Sequence, residues 1–172
     1  AWFVKINDAQ RLAMFQAEAA GLKALTAAKA LRVPTPLGAG LAGAEAFLVL
    51  EYLAFGRPRR DGGAEAGRRL AHLHRQSQAR FGWDRDNFIG STPQPNAEAQ
   101  DWASFWRTRR LGPQLGLALA QGFGGRLQDR GRRLGEACPA LIDHAPQPSL
   151  LHGDLWSGNM AFDAAGQPVL FD

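Results

Sequence analysis

The sequence predicts an α+β fold in two parts: a small strand-rich portion, then a mostly helical one that closes on a loop and a hairpin. Three observations predict it. Residues 1–7 and 46–53 carry strand patterns on either side of a long helical pattern. From Glu65 onward, apolar residues recur at helical spacing. Near the end the chain turns extended again, with His152-Gly153-Asp154 set before two short apolar runs that flank a turn. The boundary is expected after Leu53, giving portions 1–53 and 54–172.

Composition bounds the possibilities. At 172 residues the chain is long enough for one domain with a core, or for part of a larger one. Its apolar (45%) and charged (21%) fractions are ordinary for a soluble globular protein. No run approaches the roughly 20 apolar residues of a membrane span, so no membrane partner is expected. Ala1–Asn7 also lacks the basic start of a secretory leader. The lone Cys138 permits no internal disulfide and suits a reducing, cytoplasmic setting. It reads as a small residue near a helix end and not as a nucleophile. The net charge of +4 permits attraction to phosphates but is too diffuse to indicate nucleic acid. Its densest cluster, Arg130, Arg132 and Arg133, reads as a solvated helix face.

Residues 1–7 alternate, with Trp2, Val4 and Ile6 on one face and Phe3 and Lys5 on the other. A lysine centred in an apolar strand needs a partner if it is buried. Asn7 and Asp8 offer capping oxygens for a helix expected over Ala9–Ala30. Its apolar stripe runs Leu12, Phe15, Ala19, Leu22 and Leu25. Glu18 lies three residues after Phe15 and four before Leu22, so it points along that stripe. Each of Lys5 and Glu18 alone would read as a surface charge. Together, on successive elements, they read as an ion pair.

Val33-Pro34-Thr35-Pro36 ends the helix, and Gly38–Gly43 is expected to be a glycine-rich turn before the strand Ala46–Leu53. Ala54–Pro58 has the composition of a connector. The backbone of Glu51, Tyr52 and Leu53, where strand meets connector, is a candidate for nucleotide contacts. An ordinary buried strand and turn fits there as well. A helix follows from Glu65 to about Ser77. Its His72 and His74 lack Cys, Asp or Glu at ligand spacing and read as packing or surface histidines.

Residues 80–97 form an aromatic-rich loop that either covers a core or lines a pocket. Asp101 then opens a helix with Trp102, Phe105 and Trp106 on one face, where core packing is the default over a substrate platform. Helices are expected at 113–121 and 124–137. Pro139, Pro146 and Pro148 then straighten the chain into a strand at Leu150-Leu151.

His152-Gly-Asp154-Leu-Trp156-Ser-Gly-Asn159 has the residue types of a phosphotransferase catalytic loop, with a carboxylate to orient a hydroxyl and an amide to hold magnesium. The hairpin Asn159–Phe162, Asp163–Pro168, Val169–Asp172 is expected to turn at Ala165–Gly166 and bring Asn159 opposite Asp172. Two hard oxygen ligands beside Asp154 suit Mg²⁺ carrying nucleotide phosphates. Lys5 would then hold phosphate charge, with Glu18 as its tether.

With these residues assembled, the chain resembles the fructosamine kinases, or ketosamine-3-kinases, which are related to aminoglycoside and choline kinases. The wider group is marked by His152-Gly-Asp154-x-x-x-x-Asn159, and the narrower family by Leu151–Asn159 with Trp156-Ser157. Further matches are Phe3-Val-Lys5, Met14-Phe15 with Glu18 and Leu22, and Leu50-Glu-Tyr-Leu53. Others are Phe88-Ile-Gly90, Pro93–Asn96, and Asp101-Trp102 through Arg110-Leu111. The resemblance implies a protein-kinase-like two-lobe fold, ATP and Mg²⁺ as cofactors, and transfer of the γ-phosphoryl group to the sugar 3-hydroxyl of ketosamines. The ketosamines would be free in solution or borne on glycated protein amines. It assigns Asp154 as base, Asn159 and Asp172 as metal ligands, and Lys5 and Glu18 as the phosphate-holding pair. Trp156 either stacks on the sugar or fills the core beneath the loop. The alternatives are an aminoglycoside- or choline-type kinase, or a non-catalytic pseudokinase. The family's glycine-rich hairpin precedes the lysine strand, and helices follow its metal-binding Asp. These 172 residues are therefore expected to be an incomplete, internal portion of a larger kinase, with little activity alone.

Overall fold

The computed structural model describes residues 1–142 and 144–172. They divide into two compact units, one built from residues 1–77 with 149–172 and the other from residues 78–148.

The first unit holds a three-stranded antiparallel sheet of β1 (Trp2–Asp8), β2 (Pro36–Ala42) and β3 (Glu45–Glu51), in the order β1-β3-β2. Strand β3 is central because its alternation is complete: Ala46, Leu48 and Leu50 are 0–3% exposed while the residues between them face away. Helix α1 (Leu12–Ala27) lays Phe15, Leu22 and Leu25 on that face. This is the stripe expected from the sequence, with Leu12 and Ala19 half-buried along it. Strand β1 is an edge, and Trp2, Val4 and Ile6 on its outer face are exposed.

Several local expectations are corrected. Asn7 and Asp8 do not cap α1. The Asn7 side chain accepts from the Asp8 N–H, and a single 3₁₀ turn, Ala9–Arg11, leads into the helix. The glycine-rich stretch 38–43 is not a turn. It forms most of β2, and the turn is only Gly43-Ala44. The reason is steric: Gly40 pairs with Phe47, whose ring would lie 3.0 Å from a Cβ at that position. Glycine here gives an aromatic neighbour room to lie across the strand.

Helix α2 (Gly62–His74) starts earlier than expected and packs Leu73 into the same core. His72 and His74 face outward, and no group of three His, Cys, Asp or Glu able to hold a metal occurs among the described residues. Strands β6 (Met160–Phe162) and β7 (Pro168–Leu170) form the expected hairpin. Its turn is built by Asp163, whose carboxylate accepts from the Ala165 and Gln167 N–H groups, and by Gly166 at φ +74°. Pro168, Val169 and Leu170 are fully buried. Residues 150–151 are not a strand. Leu150 donates one bond to the Gln76 carbonyl, and Ser149 bridges Ser77.

In the second unit, part of the aromatic loop is a hairpin of β4 (Asn87–Ile89) and β5 (Thr92–Gln94). Asp101 caps α3 (Trp102–Phe105) by accepting from the Ser104 N–H. One wider π-type turn, Trp106–Leu111, joins α3 to α4 (Gly112–Ala120). Helix α5 (Arg126–Leu141) runs through Pro139, so that proline does not straighten the chain where expected. Cys138 is buried within α5, as a small packing residue would be. Trp102 stacks on Phe105 and meets Phe81 at a tilt, each with centroids 5.5 Å apart, and the Arg110 guanidinium lies 4.6 Å from the Phe105 centroid. Trp102 and Phe105 therefore pack inward. Buried Asn96 ties the loop together by donating to the Asn87 side chain and the Arg85 carbonyl and accepting from Arg110.

No helix among the described residues is long and apolar enough to cross a membrane. Leu48 is fully enclosed by the sheet, α1 and β7 residues of one core. Leu48→Ala in the full-length protein should therefore cost about 2–5 kcal/mol of stability, read as a lower denaturant midpoint.

Candidate active site

Strand β1 carries Lys5 on the face it shares with Phe3, towards α1. There its ammonium lies 2.8 Å from the Glu18 carboxylate and also pairs with the Asp172 carboxylate. The Lys5 and Glu18 side chains are largely covered, with 24% and 17% of their surface exposed, so this is not a loose surface pair. An ammonium has three donors. One is given to the Asp172 carboxylate, while Glu18 is met as an ion pair without an aligned hydrogen bond.

The loop before β6 is shaped by its backbone. Gly153 sits at φ +94°, a conformation that a side chain would strain. Asn159, only 5% exposed, donates through its amide nitrogen to the Asp154 carbonyl at 2.9 Å and to Asp154 Oδ2 at 3.3 Å. These bonds fix the direction of the amide: its nitrogen faces Asp154, so its oxygen faces away. Phe171 donates its N–H to the Asn159 carbonyl at 3.1 Å, extending the hairpin register by one pair. Asn159 is thus opposite Phe171 and not opposite Asp172, which corrects the expected register by one residue. Asp172 follows with φ +83°.

His152 is half-buried. Its Nδ1 accepts a long bond from the Asp154 N–H at 3.4 Å, which places the ring proton on Nε2. Nε2 is buried and makes no well-aligned hydrogen bond. Burial pushes the His152 pKa down from its ordinary 6.5, and the nearby Phe171 carbonyl and Asp154 carboxylate oppose this only in part.

Trp156 is 61% exposed, so it does not fill the core beneath the loop. Its ring lies against Gly158, where an added Cβ would stand 2.3 Å from the indole.

Glu51, Tyr52 and Leu53 stand apart from this cluster, as β3 runs into the connector. Glu51 turns its side chain back to the Arg32 guanidinium and the Thr35 N–H, while Tyr52 is 54% exposed. The connector packs on the hairpin: Gly56 donates to the Phe162 carbonyl at 2.7 Å, and Phe55 stacks on Phe171 with centroids 5.0 Å apart. A Cβ on Gly56 would come within 2.7 Å of the Asp163 carbonyl. Sequence reasoning did not single out Arg32, Phe55 or Phe171, because their partners are far away along the chain.

The oxygens of Asn159 and Asp172 fit Mg²⁺. Both are hard donors, and two protein ligands leave the remaining positions to water and phosphate, as this ion prefers.

Mixed strand and helix with this loop define the class of fold. Two solved structures share the fold over 99% of the chain. The "putative fructosamine-3-kinase" of Haemophilus somnus has a TM-score of 0.87 at 31% identity, and the protein of the same description from Thermobifida fusca has 0.80 at 27%. The chain covers 57% and 59% of those structures. The family model for fructosamine kinase matches residues 1–172, and the chain belongs to that family. Among curated relatives, the "probable ketoamine kinase" of Synechocystis sp. is 46% identical over 172 residues, 99% of this chain and 58% of that protein. The chloroplastic protein-ribulosamine 3-kinase of Arabidopsis thaliana is 41% identical, over 99% of this chain and 53% of its own. The chain thus spans somewhat more than half the length of these relatives.

The lowered His152 pKa has a consequence for stability. Below pH 6.5 the unfolded chain takes up this proton while the folded one resists it. The His152 contribution is therefore present above that value and is lost as the pH falls below it. Denaturation midpoints of the full-length protein between about pH 5 and 8 should fall on acidification, and His152→Gln should flatten that fall.

Proposed function

We propose that the full-length protein is an ATP-dependent kinase that phosphorylates the sugar 3-hydroxyl of ketosamines, such as fructosamine or ribulosamine adducts. The substrates are small ketosamines or glycated protein amines, and phosphorylation destabilises the adduct and so frees the amine. The observation that carries this reading is the junction of Lys5 with both Glu18 and Asp172, beside an Asp154–Asn159 pair, in a chain of this family. The reading includes a protein-kinase-like two-lobe fold, with residues 1–53 belonging to the small lobe and residues 54–172 to the large one.

Asp154 is the base. Its Oδ2 is held by the Asn159 amide, so the carboxylate is oriented and Oδ1 is left to the substrate hydroxyl. As the bond from the sugar O3 to the γ-phosphorus forms and the bond from that phosphorus to the ADP oxygen breaks, Asp154 accepts the hydroxyl proton. A hydroxyl with a pKa far above 7 needs such an acceptor. Lys5 gives a donor not taken by Asp172 to the phosphate chain, and Glu18 keeps the ammonium in place. Asn159 Oδ1 and Asp172 hold Mg²⁺, which supplies neutralisation of phosphate charge when bound. The backbone of Glu51, Tyr52 and Leu53 faces the adenine. Trp156, exposed beside Asp154, offers an indole face to the sugar.

The test uses the full-length protein, ATP with Mg²⁺, and a panel of ketosamines, aminoglycosides and choline. Phosphorylation of ketosamines alone is expected, and turnover confined to the other acceptors overturns the assignment. Asp154→Asn should lower kcat at least about a hundredfold while Mg·ATP binding persists. Glu18→Ala should weaken ATP binding, because the Lys5 ammonium loses its tether.

A further inference from the structure

Between α1 and β2 the chain crosses the first unit as a strap, residues 30–35. Ala30, Leu31, Val33 and Pro34 are buried, so the strap is fixed in the core and is not a surface loop. Arg32 and Thr35 are exposed, and Arg32 is bound at both ends. Its carbonyl accepts the Leu170 N–H at 2.9 Å, and its backbone runs parallel to β7 at Val169. Its guanidinium pairs with Glu51 Oε1. Glu51 Oε2 accepts the Thr35 N–H at 3.2 Å, and the Glu51 N–H returns to the Thr35 carbonyl at 2.9 Å. Burial alone would raise the Glu51 carboxyl, yet the Thr35 N–H and the Arg32 guanidinium outweigh it and hold the pKa below its ordinary value.

One residue therefore touches two distant parts of the proposed site. Its backbone holds β7, which ends two residues before Asp172. Its side chain holds the last residue of β3, where the adenine-facing backbone begins. The Glu51 carboxylate is occupied by this clamp and is not offered to a ligand. Resting on the kinase reading above, we infer that Arg32 is a positioning residue that couples the adenine-facing end of β3 to the metal-binding end of β7. It touches no substrate. It sets the spacing between the two places where one nucleotide is held, so its loss falls on ATP and not on the ketosamine.

Arginine suits this role because the planar fork keeps its direction while the stem follows the strap. Lysine reaches the same carboxylate as a point charge with less directional control.

The test compares the full-length wild type with Arg32→Met, Arg32→Lys, Glu51→Gln and the Arg32→Met/Glu51→Gln double variant. Three measurements are made: Mg·ATP binding by titration, the KM for ATP and for a ketosamine, and amide exchange over residues 168–172 without nucleotide. Arg32→Met keeps the apolar stem and removes the fork. It should raise the KM for ATP about fivefold to tenfold, leave the ketosamine KM within about twofold, and speed exchange at Leu170. Glu51→Gln should shift in the same direction, and the double variant should be no worse than the poorer single one. Arg32→Lys should recover part of the ATP affinity.

An unchanged KM for ATP overturns the inference, as do parallel changes in both KM values or additive effects in the double variant. If Arg32→Met does not fold, Glu51→Gln decides, since it weakens the clamp with the strap left whole. Failure of the kinase reading looks different: the wild type itself then binds no Mg·ATP or transfers nothing to a ketosamine.

Discussion

The first unit is organised around a single ammonium shared by two carboxylates. Glu18 comes from α1 and Asp172 from the far end of the chain, and Lys5 of β1 meets both. Two like charges brought this close repel unless a cation stands between them. Glu18, with 17% of its side chain exposed, has little water to retreat to, whereas the half-exposed Asp172 is held by its pairing with Lys5. The junction therefore requires three elements to arrive together: β1 in a register that turns Lys5 inward, α1 at a rotation that aims Glu18 along its buried stripe, and β7 at a depth that delivers Asp172. The packing of Phe15, Leu22, Leu48 and Leu170 sets all three. Core and site are thus one arrangement seen from two sides.

The parts legible in the sequence were those written over short spans. The α1 stripe, the β3 alternation, the Asp101 cap and the Asp163–Gly166 turn each follow from residues within about one to five turns of one another. The Lys5–Glu18 pair was legible because both residues violate the pattern of the element that carries them. What escaped was decided at a distance. Gly38 and Gly40 look like a turn until Phe47 is known to lie across Gly40. Pro139 looks like a terminator, yet α5 passes through it. Gly56 and Gly158 are glycines for reasons of space, against the Asp163 carbonyl and the Trp156 indole, and neither neighbour could be read from local composition.

The hairpin register shows how small such an error can be and why it matters. Counting from the turn puts Asn159 opposite Asp172, but the ladder pairs it with Phe171. Side chains alternate in a strand, so one residue decides which group lies across the hairpin from which. Here the paired residue is an aromatic that stacks on Phe55 of the connector, and Asp172 is released beyond the ladder at positive φ. Being past the last pair frees its carboxylate to turn to Lys5 and not to its own hairpin. The departure from the simple register is what makes the ion junction reachable.

The first unit is discontinuous in sequence, since residues 149–172 return to join residues 1–77. Those last residues supply Val169 and Leu170, among the most deeply buried side chains, together with Asp154, Asn159 and Asp172. Closing so long an intervening segment costs chain entropy before any contact rewards it. The return is therefore stable only if apolar burial and site formation come together. The strap at Arg32 is where they meet: Leu170 bonds to its backbone while Glu51 bonds to its side chain. A chain that has not inserted β7 lacks part of its core and also the Asp172 carboxylate that pairs with Lys5. The same insertion that buries Val169 and Leu170 therefore also brings Asp172 to Lys5.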